Sequence, residues 1–278
     1  MNLKEALDYG KNNLINTSED YMTIVKILIE HVFNIKKEEI VVSYNMELEP
    51  HKVYDFTTYI DKIKSGYPVQ YITNKQEFMG LQFYVDDNVL IPQPDTEILV
   101  QEVIEAYSKK ECKILDLCTG SGAIAISLAK YIENAHVVAT DVSNKSIQIA
   151  KLNAEKNMVR KKIEFIESDM FNNVKYKDFD VIVSNPPYIK TDVISKLDKQ
   201  VQSEPFIALD GGDDGLKFYR IIAEGAKEHL KKDGKLFLEI GYDQKEEVTN
   251  ILKQKYINIY CKKDLAQNDR IIVAEMRD

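Results

Sequence analysis

At 278 residues, with 44% apolar and 29% charged, the chain is long enough for one large domain plus a smaller one, and its composition is globular, neither fibrous nor low-complexity. A formal net charge of −8 disfavours a broad phosphate-binding surface built on Lys and Arg. Nucleic acid is therefore not the expected partner; a protein, preferably a basic one, or a small molecule is.

From Leu3 to about residue 64, apolar residues recur at helical spacing. Leu3, Ala6, Leu7, Leu14 and Ile15 fall on one face, and Met22, Val25, Ile29, Val32 and Phe33 on another. Thr17-Ser18-Glu19-Asp20 reads as the capping signal of a second helix, and Ser65-Gly66-Tyr67-Pro68 ends a third or fourth. Residues 1–75 are expected to form a small all-helical domain. Residues 69–92 change character: Phe78, Leu81, Phe83, Val85, Val89 and Ile91 lie scattered among polar residues, with a turn at Met79-Gly80, which predicts a β-hairpin linker over 76–93. From 94 to 278, helical patterns alternate with strand-length apolar runs at 113–117, 136–140, 162–166, 179–183 and 235–239, followed by 256–261 and 271–276. Continuous apolar runs separated by helices imply a mostly parallel sheet covered on both faces, a doubly wound α/β domain. Cys112, Cys118 and Cys261 have neither CxxC spacing nor a His cluster, so reduced thiols without a metal site are expected. Met-Asn-Leu-Lys-Glu is no basic-then-apolar leader, and no run approaches the roughly 20 apolar residues of a membrane span, so the expected location is cytoplasmic.

The turn Asp116-Leu117-Cys118-Thr119-Gly120-Ser121-Gly122 follows the first α/β strand and opens the helix of 123–130. Ligands of doubly wound folds bind at the carboxyl ends of strands, where small residues admit a cofactor to backbone N–H groups. After Gly120 and Gly122 comes Ala123-Ile124-Ala125 in place of the third glycine of a dinucleotide fingerprint, and an acidic residue precedes the turn. Both features favour a nucleoside such as S-adenosylmethionine over NAD; a tight strand-to-helix turn with no ligand is the competing reading. Asp141 ends the second strand, about twenty residues on, where a carboxylate can accept from ribose hydroxyls. Asp169 follows the third strand, where it could accept from an adenine amino group while Met170 or Phe171 packs on the ring. Taken singly, either aspartate is equally a helix N-cap.

Asn185-Pro186-Pro187-Tyr188 closes the strand 180–184. Two prolines stiffen the backbone and remove two N–H donors, so the local carbonyls face no competing amides. A substrate NH2 group can donate to the Asn185 side-chain oxygen and to the Pro186 carbonyl, with the Tyr188 ring over its plane. A planar amide or aromatic amine is a poor nucleophile because its lone pair is delocalised, and orientation with two hydrogen bonds helps localise it. A sulfonium methyl is already activated, so neither a metal nor a dedicated base is required.

With these residues in place, the whole chain resembles the release-factor glutamine methyltransferase family, the PrmC or HemK type. The resemblance rests on Pro68-Val69-Gln70-Tyr71-Ile72 followed by Glu77-Phe78, on Leu90-Ile91-Pro92-Gln93-Pro94-Asp95-Thr96-Glu97, and on the cofactor turn. It continues through Asn185-Pro186-Pro187-Tyr188-Ile189, Glu204-Pro205, Ala208-Leu209 and Gly212-Asp213-Asp214-Gly215-Leu216. The tetrapeptide alone is shared with adenine and guanine amino-methyltransferases; the segments 91–97 and 204–216 are more specific. The resemblance implies a Rossmann-like, seven-stranded methyltransferase domain behind a helical domain that helps grip the substrate, with S-adenosylmethionine as cofactor. It also implies N5-methylation of the glutamine in the Gly-Gly-Gln loop of class 1 peptide chain release factors. Residues 118–122, Asp141 and Met170 would line the cofactor, and 185–188 would hold the glutamine. Three positions depart from the family pattern: Cys118 stands where glycine is usual, Gln93 where arginine is usual, and Met170 where an aromatic residue is common. The competing functions are a nucleic-acid amino-methyltransferase, a ribosomal-protein glutamine methyltransferase and a catalytically idle nucleoside-binding protein. The acidic balance counts against the first, and the intact tetrapeptide against the last.

Overall fold

The computed structural model describes residues 1–17 and 19–277. The chain divides into two compact units, Met1–Asn74 with Asp198–Ser203, and Lys75–Leu197 with Glu204–Asp278. The first is helical, with α1 (Leu3–Leu14), α2 (Tyr21–Phe33), α3 (Pro50–Lys64) and α4 (Val69–Thr73). Helix α1 begins at a reciprocal cap: the Glu5 N–H donates to Asn2 Oδ1 at 2.9 Å, and the Asn2 N–H donates back to Glu5 Oε2 at 3.0 Å. Its face of Leu3, Ala6 and Leu14 packs on Ile24, Val25, Leu28, Ile29 and Phe33 of α2 and on Phe56 and Ile60 of α3. Ile15, expected on that face, is exposed beyond the helix end. Of the capping signal expected at 17–20, Ser18 lies outside the described residues, and the Thr17 hydroxyl closes α1 instead, donating to the Leu14 carbonyl at 2.7 Å. Residues 69–73, within the 1–75 stretch expected to be helical, form α4 behind Pro68.

The second unit opens with the hairpin of β1 (Gln76–Phe78) and β2 (Leu81–Phe83), joined through Met79 and Gly80. Both turn residues have positive φ, 52° and 69°, the handedness that matches the twist of a two-residue hairpin. The chain continues through α5 (Pro94–Tyr107), β3 (Cys112–Leu117), α6 (Ala123–Tyr131), β4 (Ala135–Asp141), α7 (Asn144–Lys156), β5 (Ile163–Glu167) and β6 (Phe179–Ser184). Three short helices follow, α8 (Thr191–Ile194), α9 (Lys199–Gln202), which belongs to the first unit, and α10 (Phe206–Leu209). Last come α11 (Lys217–His229), β7 (Leu230–Glu239), α12 (Lys245–Leu252), β8 (Tyr256–Lys263) and β9 (Asp269–Met276).

Seven strands form one sheet in the order β5-β4-β3-β6-β7-β9-β8. All neighbours are parallel up to β7, and β9 runs antiparallel to both β7 and β8. This is the seven-stranded, mostly parallel α/β sheet expected from the apolar runs. The central strands carry no alternation because both faces are covered: Ile114, Leu115, Leu117, Val181, Ile182 and Val183 are all fully buried. Each such side chain contributes about 1.5–3 kcal/mol by leaving water. The strand order reverses between β3 and β6, the position at which open α/β sheets form their binding crevice.

One buried carboxamide ties the segment after the hairpin to the glycine turn at 116–122. Asn153 of α7, fully buried, accepts from the Tyr84 N–H at 2.7 Å and donates to the carbonyls of Tyr84 and Ser121, each at 2.9 Å. Asn157, one helical turn on, donates to the Gln82 carbonyl at 3.1 Å. Asn153→Ala strands one N–H and two carbonyls and is expected to lower the unfolding free energy by roughly 3 kcal/mol in urea titrations. A loss under about 1 kcal/mol would show that water substitutes for the carboxamide.

Candidate active site

A cavity of about 290 Å³ lies at the carboxyl ends of the central strands. Its wall includes Cys118 and Gly120 after β3, Asp141 at the end of β4, Asp169 and Met170 after β5, and Asn185 and Pro187 after β6. Residues far apart in sequence thus meet because parallel strands end on one edge. A larger hollow at the opposite ends of the strands, lined by Lys113, His136, Lys162 and Asp180, lacks comparable chemistry. Two of its lysines are already tied: Lys113 donates to the Lys177 carbonyl, and Lys162 to those of Ala129 and Glu133.

The turn is held by hydrogen bonds to two carboxylates. The Gly120 N–H donates to Asp141 Oδ2 at 2.8 Å, and the Ser143 N–H to Asp141 Oδ1 at 2.9 Å. Asp141 therefore acts as no helix cap; that place is taken by Ser143, whose hydroxyl accepts from the Ser146 N–H. Burial raises the Asp141 carboxyl, while the Ser143 and Gly120 N–H groups oppose the shift. Asp116, Thr119, Ser121 and Gly122 stand behind the cavity wall as its frame. Asp116 Oδ2 accepts from the Thr119 hydroxyl at 2.6 Å and from the Ala125 N–H at 3.2 Å, whereas Oδ1, equally buried, has no hydrogen-bond partner. Gly122, at φ 84°, sits where a Cβ would fall 2.8 Å from Ile126 and 3.0 Å from Ala150. Cys118 has φ 60°, the left-handed conformation that explains why glycine is usual there and that costs an ordinary residue roughly 1–2 kcal/mol. Its thiol lies 3.8 Å from the Met170 sulfur and is held well above its usual value by burial and by Asp141 and Asp116. A neutral thiol does not compete as a nucleophile for a methyl group.

Met170 lies on the cavity wall, but Phe171 does not pack there: its ring stacks on His229 at 5.0 Å and lies against Gly225. The apolar side is completed by Val142, Phe218 and Ile221, and by Pro205 and Ile207 from the 204–216 segment. None of these was identified from sequence, since no local pattern marks an apolar residue as a cavity wall. Among the described residues no group of three His, Cys, Asp or Glu side chains is placed to hold a metal ion. Asp141 and Asp169 on the wall, together with its apolar side, suit a nucleoside carrying positive charge better than a pyrophosphate.

The tetrapeptide is split between two environments. Asn185 and Pro187 line the cavity, and the Asn185 Nδ2 donates to Thr96 Oγ1 at 3.2 Å. Thr96 in turn donates to Glu239 Oε2 at 2.6 Å. Pro186 is buried, and neither it nor Tyr188 is among the cavity-lining residues. The Tyr188 phenol lies against Glu239 and Arg270 and is pushed upward by burial and the Glu239 charge, so its hydroxyl end is engaged outside the cavity. The 204–216 segment braces this loop from outside. The Ile189 N–H donates to the Leu209 carbonyl at 3.0 Å, and Gln244 Nε2 donates to the carbonyls of Tyr188 and Gly215. Gly215, at φ 75°, approaches so closely that a Cβ would fall 2.5 Å from the Tyr188 oxygen. Gln93 and Glu204 clamp one residue between them: Glu204 accepts from the Ile91 N–H at 2.9 Å, and Gln93 donates to the Ile91 carbonyl at 3.0 Å.

Asp116, Glu204 and Glu239 are each pushed up to about 7, with burial the first cause in all three. A carboxyl raised in the folded state contributes stability in full below its unfolded value of about 4. That contribution is lost as pH rises toward about 7, because the native state then binds more protons than the unfolded chain. Asp116→Asn is expected to flatten the decline in unfolding free energy between about pH 5 and about pH 7.5, measured by urea titration; a slope parallel to the wild type would show that Asp116 is not held neutral.

Comparison with known proteins agrees with this geometry. Residues 93–201 match the family described as the methyltransferase small domain, and residues 5–73 the PrmC N-terminal domain. The release factor glutamine methyltransferase of Clostridium acetobutylicum is 39% identical over 99% of this chain and 98% of its own. That of Moorella thermoacetica is 38% identical, with full coverage of both. Among solved structures, the Thermus thermophilus 16S rRNA N2 G1207 methyltransferase, in complex with AdoMet and guanosine, aligns with a TM-score of 0.52 at 20% identity, covering 73% of this chain and 50% of that one; this likeness is one of fold. On the strength of two full-length relatives and of the two matching domain families, this S-adenosylmethionine-dependent methyltransferase belongs to the release factor glutamine methyltransferase family.

Proposed function

We propose that the chain methylates the side-chain amide nitrogen, N5, of the glutamine in the Gly-Gly-Gln motif of class 1 peptide chain release factors. The observation that carries this reading is the placement of Asn185 on the same cavity wall as Gly120, Asp141 and Met170, so that an acceptor for an NH2 group and the cofactor residues converge. The names of the full-length relatives supply the glutamine and the release factor. Bound S-adenosylmethionine supplies a methyl on a cationic sulfur, which keeps the bonding electron pair when the methyl departs.

In this reading Asp141 holds the ribose, with Cys118, Gly120, Asp169 and Met170 around the nucleoside and Asp116, Thr119, Ser121 and Gly122 shaping the turn. Asn185 Oδ1 and the Pro186 carbonyl accept the two amide protons, which holds the nitrogen lone pair toward the methyl. Pro187 stiffens the loop, and Tyr188 anchors it through its buried phenol. Methylation leaves a nitrogen acidic enough to release its proton to solvent, so no side chain need serve as base. The N-terminal helical unit is assigned a role in gripping the release factor. The cytoplasm is the proposed location, in keeping with three unpaired cysteines. Among the described residues no helix is long and apolar enough to cross a membrane.

Labelled S-adenosylmethionine offered with separate pools of release factor, ribosomal subunits, DNA and transfer RNA tests the substrate. Label is expected in the release factor, and its loss when the Gly-Gly-Gln glutamine is replaced; label only in nucleic acid would overturn the proposal. Asn185→Ala is expected to retain S-adenosylmethionine binding while losing roughly 10²-fold in turnover, as for removal of one pre-placed transition-state hydrogen bond. Asp141→Ala should weaken cofactor binding about tenfold or more by calorimetry, since a charged acceptor is removed; unchanged affinity would refute the ribose role.

A further inference from the structure

We infer that Thr96 and Glu239 are positioning residues that decide which atom of the Asn185 amide faces the substrate. The inference rests on the reading of Asn185 as an acceptor for the substrate NH2 group. A threonine hydroxyl has one proton and two acceptor sites, and a carboxylate accepts only. With Thr96 Oγ1 2.6 Å from Glu239 Oε2, and the two residues 4% and 2% exposed, the hydroxyl proton is committed to Glu239 whenever that carboxyl is ionised. What Thr96 presents to Asn185, at 3.2 Å, is therefore a lone pair, and only a donor can meet it. The Asn185 NH2 is drawn to Thr96, and Oδ1 is left as the free acceptor of the amide.

Without this relay the two faces of the amide are nearly interchangeable, because the terminal torsion of asparagine is broad and roughly two-fold. The wrong orientation would set an NH2 group against the substrate's own NH2, donor against donor. Glu239 is suited to keep the polarity. It ends β7 one residue beyond Leu238, which pairs with Ser184, so it lies level with Asn185 on the neighbouring strand. Its surroundings supply donors and positive charge: the Tyr188 phenol, and the Arg270 guanidinium, which pairs with Asp264 at 3.0 Å and Asp95 at 3.2 Å. The Tyr219 hydroxyl donates to the Glu239 backbone carbonyl at 3.0 Å and fixes the strand end. Thr96 comes from the first turn of α5, so the relay joins a helix start to two strand ends.

Steady-state kinetics of the full chain, with a class 1 release factor and labelled S-adenosylmethionine, separates the possibilities. Thr96→Val keeps the volume and removes the hydroxyl; kcat is expected to fall about fivefold to tenfold, the worth of one ordinary hydrogen bond, with the calorimetric Kd for S-adenosylmethionine within about twofold of wild type. Thr96→Ser restores the hydroxyl and should return kcat to within about twofold of wild type. Asn185→Ala is the reference: full turnover there would overturn the assignment of Asn185 itself. Loss in Asn185→Ala with wild-type kcat in Thr96→Val would overturn the relay alone. Equal losses in Thr96→Val and Thr96→Ser, or a parallel loss of cofactor affinity, would mark Thr96 as a packing residue and also overturn it. If Thr96→Val melts below the assay temperature, Thr96→Ala carries the same test under the same criteria.

Discussion

The parallel pairing of β3 with β6 is the constraint on which the site depends. Leu117 stands opposite Ser184, and the Ser184 hydroxyl donates to the Leu117 carbonyl at 2.8 Å, binding the two strand ends at the place where the strand order reverses. From Leu117 the chain enters the turn at Cys118; from Ser184 it enters the proline loop at Asn185. The glycine turn and the proline loop are therefore neighbours by construction. A sheet with the order unreversed would place a helix between them.

Around that pair the protein buries charge. Asp116, Glu239 and Glu204 are all drawn toward neutrality by desolvation, and each is partly offset by donors: Thr119 and Ala125, Thr96, and the Ile91 N–H. A buried ionisable group is by itself weak evidence for stability, because desolvation offsets what its hydrogen-bond partners return. What the carboxylates add is direction. In its ionised form a carboxylate is an acceptor on both oxygens, and it then settles the polarity of every hydroxyl and amide that touches it. The positive φ of Cys118 is a second local cost at the same place, retained where the backbone must present Gly120 to Asp141.

Several candidate site residues were legible in the sequence because their signal is local. Asp116, Asp141 and Asn185 each end an apolar run, and in a parallel sheet the end of a run is an address on the binding edge. Phe171 was misplaced, because the direction of an aromatic side chain depends on what is packed nearby, here His229. Gln93 and Glu204 were quoted in motifs without a role, and the clamp on Ile91 becomes visible only when residues 113 positions apart meet.

The periodicity of the chain thus determined the helical N-terminal region, the hairpin turn at Met79 and Gly80 and the order of strands and helices, since backbone hydrogen bonding and side-chain alternation are properties of consecutive residues. It also determined the chemistry at strand ends, because aspartate, asparagine and proline act through their own atoms. The orientation of that chemistry was decided by the tertiary structure alone. Whether the Asn185 amide turns its oxygen or its nitrogen to the cavity depends on a threonine 89 positions earlier and, through it, on a glutamate 143 positions from that threonine. A hydrogen-bond donor chooses its acceptor by distance and direction in space, and neither is encoded in any contiguous stretch of residues.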